Sequence, residues 1–128
     1  MKGLTLTVLH DLFAVCRLPP DSPVPQRPGP CGLFSVTITG KELSIVLPEW
    51  AAQEDWQAEK GWRALEVAGP LDFSLVGVMA SLSAPLAEAG VSVFVVSTYD
   101  TDYVLVRDEG LDAAKRALAA AGHTVEEP

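Results

Sequence analysis

The sequence predicts an α+β fold: a complete βαββαβ unit in the second half of the chain and a plainer copy in the first. Three observations predict it. From Trp62 onward the elements run strand, helix, strand, strand, helix, strand. That order builds an antiparallel four-stranded sheet with two helices on one face. Ser92–Arg107 holds two β-branched runs, Val93–Val96 and Val104–Val106, around the polar insert Ser97–Asp102, which reads as a hairpin. Finally, Phe34–Val46 lies over Phe94–Val106 without a gap at an offset of 60, which sets Glu42 over Asp102. Ala14–Pro20 lies over Ala64–Pro70 at an offset of 50, so the first half is shorter where the second has its helix. The expected division is a degenerate module over 1–60 and a complete one over 61–128.

Taken in order, Leu4–Leu9 alternates threonine with aliphatic residues and predicts a strand. Phe13–Leu18 predicts a second, stopped by Pro19 and Pro20. Asp21–Gly32 carries Pro23, Pro25, Pro28 and Pro30, a density that excludes a regular helix. Leu33–Thr39 and Leu43–Leu47 predict strands around a turn at Gly40-Lys41. Glu49–Lys60 fits either a short helix or a loop, with Trp50 and Trp56 covering core edges. Trp62–Val67 predicts a strand. A helix capped by Asp72 or Ser74 then runs to about Ala89, with Leu75, Val78, Met79, Leu82 and Leu86 at helical spacing. Pro85 inside it predicts a kink or a loosened last turn, and Gly90 suits the helix end. Leu111–Ala121 predicts the second helix, ended at Gly122, and His123–Val125 a last short strand. His123 is expected at the surface.

Composition narrows the function. Apolar residues make up 48% of the 128, so a core can form. The formal charge of −8, with nine scattered basic residues, argues against a nucleic-acid partner. No apolar run approaches the ~20 residues that cross a bilayer, and His10 and Asp11 interrupt the apolar start before a signal core is complete. Cys16 and Cys31 sit in dissimilar settings and read as thiols in a reducing, cytoplasmic compartment. No Ser/His/Asp order, Cys/His pairing or phosphate-cradling glycine loop is present, so the sequence predicts no enzyme and no cofactor or metal.

The insert carries the chemistry. Asp100, Asp102, Ser97, Thr98 and Tyr99 meet where two apolar strands turn. The insert reads as one wall of a small-molecule site, which needs polar donors, polar acceptors and a shaped pocket. The start of the first helix, Asp72–Gly77, supplies donors at a positive helix end. Asp102, a carboxylate entering an apolar strand, needs a partner. The plainer readings are that Asp72 caps its helix and that Asp100 forms a turn.

PLAEAGVSVFVVSTYDTDYVLV, with GWRALEVAGPLDFSLVGV before it, resembles the ACT domain. The form is the tandem one of small bacterial ACT proteins, and it is similar to the ACT modules of a cytosolic arginine sensor. The resemblance implies ferredoxin-like modules that bind amino acids as regulatory elements and pair their sheets in a homodimer. It implies a ligand held by Asp72, Phe73, Ser74 and Leu75 at the helix start, by Ser92 and Val93 opening the second strand, and by Thr98, Tyr99 and Asp102. Because these positions fall in one module, a complete site would need the degenerate first module or a second chain, and the first module has no helix start to offer, which favours a homodimer. The leading expectation is a cytoplasmic, amino-acid-binding regulatory protein, with arginine or lysine as the analogous ligand and a regulated protein partner. The alternatives are an interaction module with a vestigial pocket, and a small enzyme.

Overall fold

The computed structural model describes residues 3–69, 71 and 76–128. Among the described residues, seven strands and two α-helices follow one another: β1 (Thr5–Leu18), β2 (Ser35–Ile38), β3 (Leu43–Pro48), β4 (Gln57–Val67), α1 (Val78–Glu88), β5 (Val93–Ser97), β6 (Asp102–Arg107), α2 (Leu111–Ala120) and β7 (Thr124–Glu126). They divide into two compact units. The larger holds residues 1–9 and 63–128, and the inserted one holds residues 10–62. The boundaries fall inside β1 and inside β4.

In the larger unit the strands lie in the order β7–β1–β4–β6–β5. β5 pairs antiparallel with β6 from Val93↔Val106 to Ser97↔Asp102. The expected four-stranded sheet is corrected at one point. β7 pairs parallel with Thr5–Thr7 of β1, not with β4, so the N-terminal strand lies between them. One face is covered by both helices. Leu6, Val8, Leu65, Val67, Val104 and Val106 meet Leu82 and Leu86 of α1 and Leu111, Ala114 and Leu118 of α2. Both helices end as their glycines dictate. Gly90 and Gly122 take positive φ values of 74° and 95°. The following amides reach back, Val91 N–H to Leu86 O at 2.9 Å and His123 N–H to Leu118 O at 3.0 Å.

Helix α1 departs from expectation at its start. It begins at Val78 behind the left-handed Gly77, not at a cap at Asp72 or Ser74. It runs through Pro85 to Glu88, close to the expected end at about Ala89.

In the inserted unit β3 is central. It pairs antiparallel with β1 from Phe13↔Pro48 to Leu18↔Leu43 and with β2 from Ser35↔Val46 to Ile38↔Leu43. Ala14, Cys16, Leu43, Ile45 and Leu47 form its core, with Trp56 packed on it. Trp50 is 60% exposed. Of the two readings of 49–60, neither is complete: Glu49–Ala51 is one 3-10 turn, and β4 already begins at Gln57. Leu4–Leu9 and Phe13–Leu18 are not two strands but parts of one, because His10–Leu12 keeps extended pairing geometry.

The two hairpins share one loop geometry, at an offset one residue away from the expected alignment. The loop Thr39–Glu42 closes with Thr39 N–H to Glu42 O at 2.9 Å, and Thr98–Thr101 closes with Thr98 N–H to Thr101 O at 2.8 Å. In each, the threonine hydroxyl accepts the amide three residues on, Glu42 at 3.2 Å and Thr101 at 3.3 Å. Thr39 therefore matches Thr98, an offset of 59, and Glu42 matches Thr101 rather than Asp102. A slip of one residue exchanges the two faces of a strand, so the offset of 60 paired inward positions with outward ones.

Candidate functional site

The side chains that alternate with the helix-facing core point to the other face of the larger unit's sheet. Thr7 lies between Leu6 and Val8, Glu66 between Leu65 and Val67, and Tyr103 one residue before Val104. These three, with Val67–Gly69 at the end of β4 and Thr98, Asp100 and Thr101 of the hairpin loop, line a cleft of about 410 Å³.

Local hydrogen bonds hold the cleft's walls. Thr101, only 8% exposed, donates its hydroxyl to Val67 O at 2.7 Å. Leu71 N–H donates to Asp100 O at 2.7 Å, which docks the connection leaving β4 onto the hairpin loop. Gly69 makes this approach possible. A Cβ there would stand 3.1 Å from Asp100 O and 3.2 Å from Thr101 Cβ. Across the floor, the Tyr103 hydroxyl donates to Glu66 Oε2 at 2.7 Å. Burial, then the bond to Glu66 and the charges of Glu66 and Asp100, push the Tyr103 phenol up to about 12. Tyr103 therefore stays a donor throughout the neutral range. Glu66 and Asp100 both line the cleft, and neither takes part in a described salt bridge. Acceptors at this density suit an ammonium or guanidinium group.

The expected site residues that the structure describes fall in four places. Asp72, Phe73, Ser74 and Leu75 lie outside the described residues. Thr98 lines the cleft. Tyr99 stands at the loop tip, 81% exposed. Asp102 shares a face with Val104 and Val106, away from the cleft, and accepts from Ser97 Oγ at 2.6 Å. Ser92 and Val93 open β5 at its other end, roughly 20 Å from Thr98 at the rise of an extended strand. Ser92 borders a separate hollow of about 260 Å³ with Val91, Arg107 and Glu109. Within one chain, then, Ser92 and Val93 are not brought to Thr98, and Asp102 faces away from it. Glu66, Tyr103, Thr7 and Thr101 were missed. The signal for Glu66 was a carboxylate alternating with Leu65 and Val67 in a strand.

Among the described residues no group of three or more His, Cys, Asp or Glu could hold a metal ion. No helix among them is long and apolar enough to cross a membrane.

A family model for the ACT domain matches residues 57–120, half of the chain. The chain belongs to the ACT-domain family. The ACT match covers β4, α1, β5, β6 and α2, which carry most of the cleft. Among curated relatives, the chain is 33% identical over 121 residues to the cytosolic arginine sensor for mTORC1 subunit 1 of Bos taurus, and 34% identical to that of Homo sapiens. Each alignment takes in 86% of this chain and 35% of the sensor, so the chain spans about a third of their length. Among solved structures, the protein Atu0741 from Agrobacterium tumefaciens matches at a TM-score of 0.92 and 32% identity, over 100% of this chain and 96% of that one. The regulatory subunit of aspartate kinase from Thermus thermophilus matches at 0.63 and 16% identity, over 94% of this chain and 99% of that one, and shares the fold.

Proposed function

We propose that this ACT protein binds an amino acid with a cationic side chain and acts as a regulatory module without catalysis of its own. One observation carries the reading: the acceptor-rich cleft in which Glu66, Asp100 and the Thr98–Thr101 loop face the end of β4. Support comes from the relatives, which are named as an arginine sensor and a kinase regulatory subunit. Arginine or lysine would place its charged end against Glu66 and Asp100. The main-chain amides around Asp72–Leu75 would meet its carboxylate, as the family resemblance implies. Ser92, Val93 and Asp102 would reach such a ligand only from the partner of a homodimer. The exposed valines of edge strand β5, Val93 and Val95, suit that pairing. The cytoplasm is the compartment in which such a sensor works. The inserted unit is proposed as a degenerate second module, supported by the matching threonine-closed loops.

Isothermal titration with the twenty amino acids tests the binding. Arginine or lysine should give saturable heat, and Glu66→Gln and Asp100→Asn should each weaken it about tenfold, the effect of losing one charge-assisted bond. No heat and no thermal shift with any amino acid at millimolar concentration defeats the reading. The open β5 edge favours a second reading, an interaction module with a vestigial pocket. Under it, Asp100→Asn and added amino acids leave the capture of a regulated protein partner unchanged.

A further inference from the structure

Helix α1 carries a proline where its ladder needs an amide. Pro85 is inside the helix and cannot donate to the carbonyl of Ser81, four residues earlier. The missing donor comes from outside. His123 Nε2 lies 3.0 Å from Ser81 O. Its Nδ1 lies 3.0 Å from the Leu4 amide, which donates to it. A ring that accepts at Nδ1 and meets a carbonyl at Nε2 is the neutral Nε2–H tautomer. His123 is 7% exposed, so both ring nitrogens are committed to main-chain groups in a buried place.

The surroundings are built to hold the ring there. The turn that ends α2 sets it, with Gly122 N–H on Ala119 O and His123 N–H on Leu118 O, both at 3.0 Å. Gly3 lets the N-terminal strand pass, because a Cβ on it would collide with the Gly122 carbonyl. Next to the clamped amide, Leu4 O accepts from Thr124 N–H at 2.8 Å, and Thr5 O accepts from Ala68 N–H at 2.7 Å. Ala68 and Gly69 form one wall of the cleft.

We propose that His123 is a two-armed clamp, held in one tautomer, that replaces the amide Pro85 lacks and couples the N-terminal strand to α1. Through Leu4 and Thr5 it also positions the Ala68–Gly69 wall. It is a positioning residue, and it sets the cleft's shape whatever occupies the cleft.

Long-range nitrogen–proton NMR on the wild-type ring tests the tautomer directly, and the Nε2–H form is expected. Two variants separate the arms. His123→Asn keeps an acceptor near the Nδ1 position, and His123→Gln keeps a donor near the Nε2 position. In His123→Gln the amides of Leu4 and Ala68 should exchange at least about tenfold faster, while α1 stays protected. In His123→Asn the loss should fall on α1, and Pro85→Ala added to that variant should restore it by returning an internal donor. A ring protonated at Nδ1 in the wild type, unchanged Leu4 exchange in His123→Gln, or no rescue by Pro85→Ala would each overturn the clamp.

Discussion

The two hairpins share one loop design and differ in what surrounds it. Thr39–Glu42 and Thr98–Thr101 close with the same main-chain bond and the same threonine-to-amide bond. The first loop is exposed, and its main tie is Arg17, whose guanidinium donates to Lys41 O at 3.0 Å. The second loop is tied below and behind, by Thr101 to Val67 O and by Leu71 to Asp100 O. Loop conformation thus follows from the threonine at its first position, since a hydroxyl that accepts the amide three residues on stabilises the turn locally. A cleft follows only where another segment docks against the loop. In the inserted unit no helix among the described residues follows β1, whereas in the larger unit the chain leaves β4 toward α1 and lies against the hairpin.

The largest expected break in the comparison is at the last loop position. Thr101→Val removes a buried hydroxyl and leaves Val67 O without it, which should cost about 1–3 kcal/mol. Glu42→Ala, its exposed counterpart, should stay within about 0.5 kcal/mol. Urea denaturation of both variants checks the contrast, and equal losses would mean that the two loops are anchored alike.

The glycines sharpen it next. Gly69→Ala must push its Cβ against the hairpin loop and should cost about 1 kcal/mol or more, the scale of overpacking. Nothing lies within 4 Å of the same atom on Gly40, which has no positive φ, so Gly40→Ala should be neutral or stabilise by up to about 0.5 kcal/mol. Thermal denaturation of the pair gives the sign.

A smaller and symmetric effect is expected at the loop starts. Thr39→Ala and Thr98→Ala each lose one neutral side-chain hydrogen bond and should each cost about 0.5–1 kcal/mol. A Thr98→Ala cost well above that of Thr39→Ala would show that the threonine itself, and not only its surroundings, separates the hairpins.

An effect of pH, silent in the neutral range, comes last. The Tyr103 phenol rises from 10.0 to about 12 in the folded chain. Its contribution to stability is therefore complete below pH 10 and is lost as pH climbs through about 12. Glu66→Gln should narrow that window, because burial and the Asp100 charge remain while the Glu66 charge is gone. Tyrosinate absorbance followed through an alkaline titration reads both chains, and an unmoved Tyr103 transition would separate Glu66 from the phenol.

Most elements of the larger unit were legible residue by residue. Val78, Leu82 and Leu86 recur at helical spacing and are buried, and Gly90 and Gly122 end the helices that precede them. The start of α1 was misread because Asp72 and Ser74 are good caps in any sequence, while Gly77 takes that position in the fold. The alignment at an offset of 60 fitted because valines and isoleucines on both faces of a strand look alike in one dimension. Hydrogen bonds choose the offset of 59 because they choose a face. Asp102 is a carboxylate in an apolar strand, and its partner is Ser97, directly across the hairpin.

The sequence by itself determined the local conformations: alternating strands, glycine-ended helices and threonine-closed turns. Each depends on interactions between residues a few positions apart. Tertiary structure alone decided that Thr5–Thr7 lies between β4 and β7, that His123 supplies the donor Pro85 withholds, and that Glu66, Asp100 and Tyr103 share one cleft. Those outcomes join residues far apart along the chain. Local spacing carries no record of which distant strand a segment will meet, and burial of the apolar face settles that choice only once the sheet is assembled.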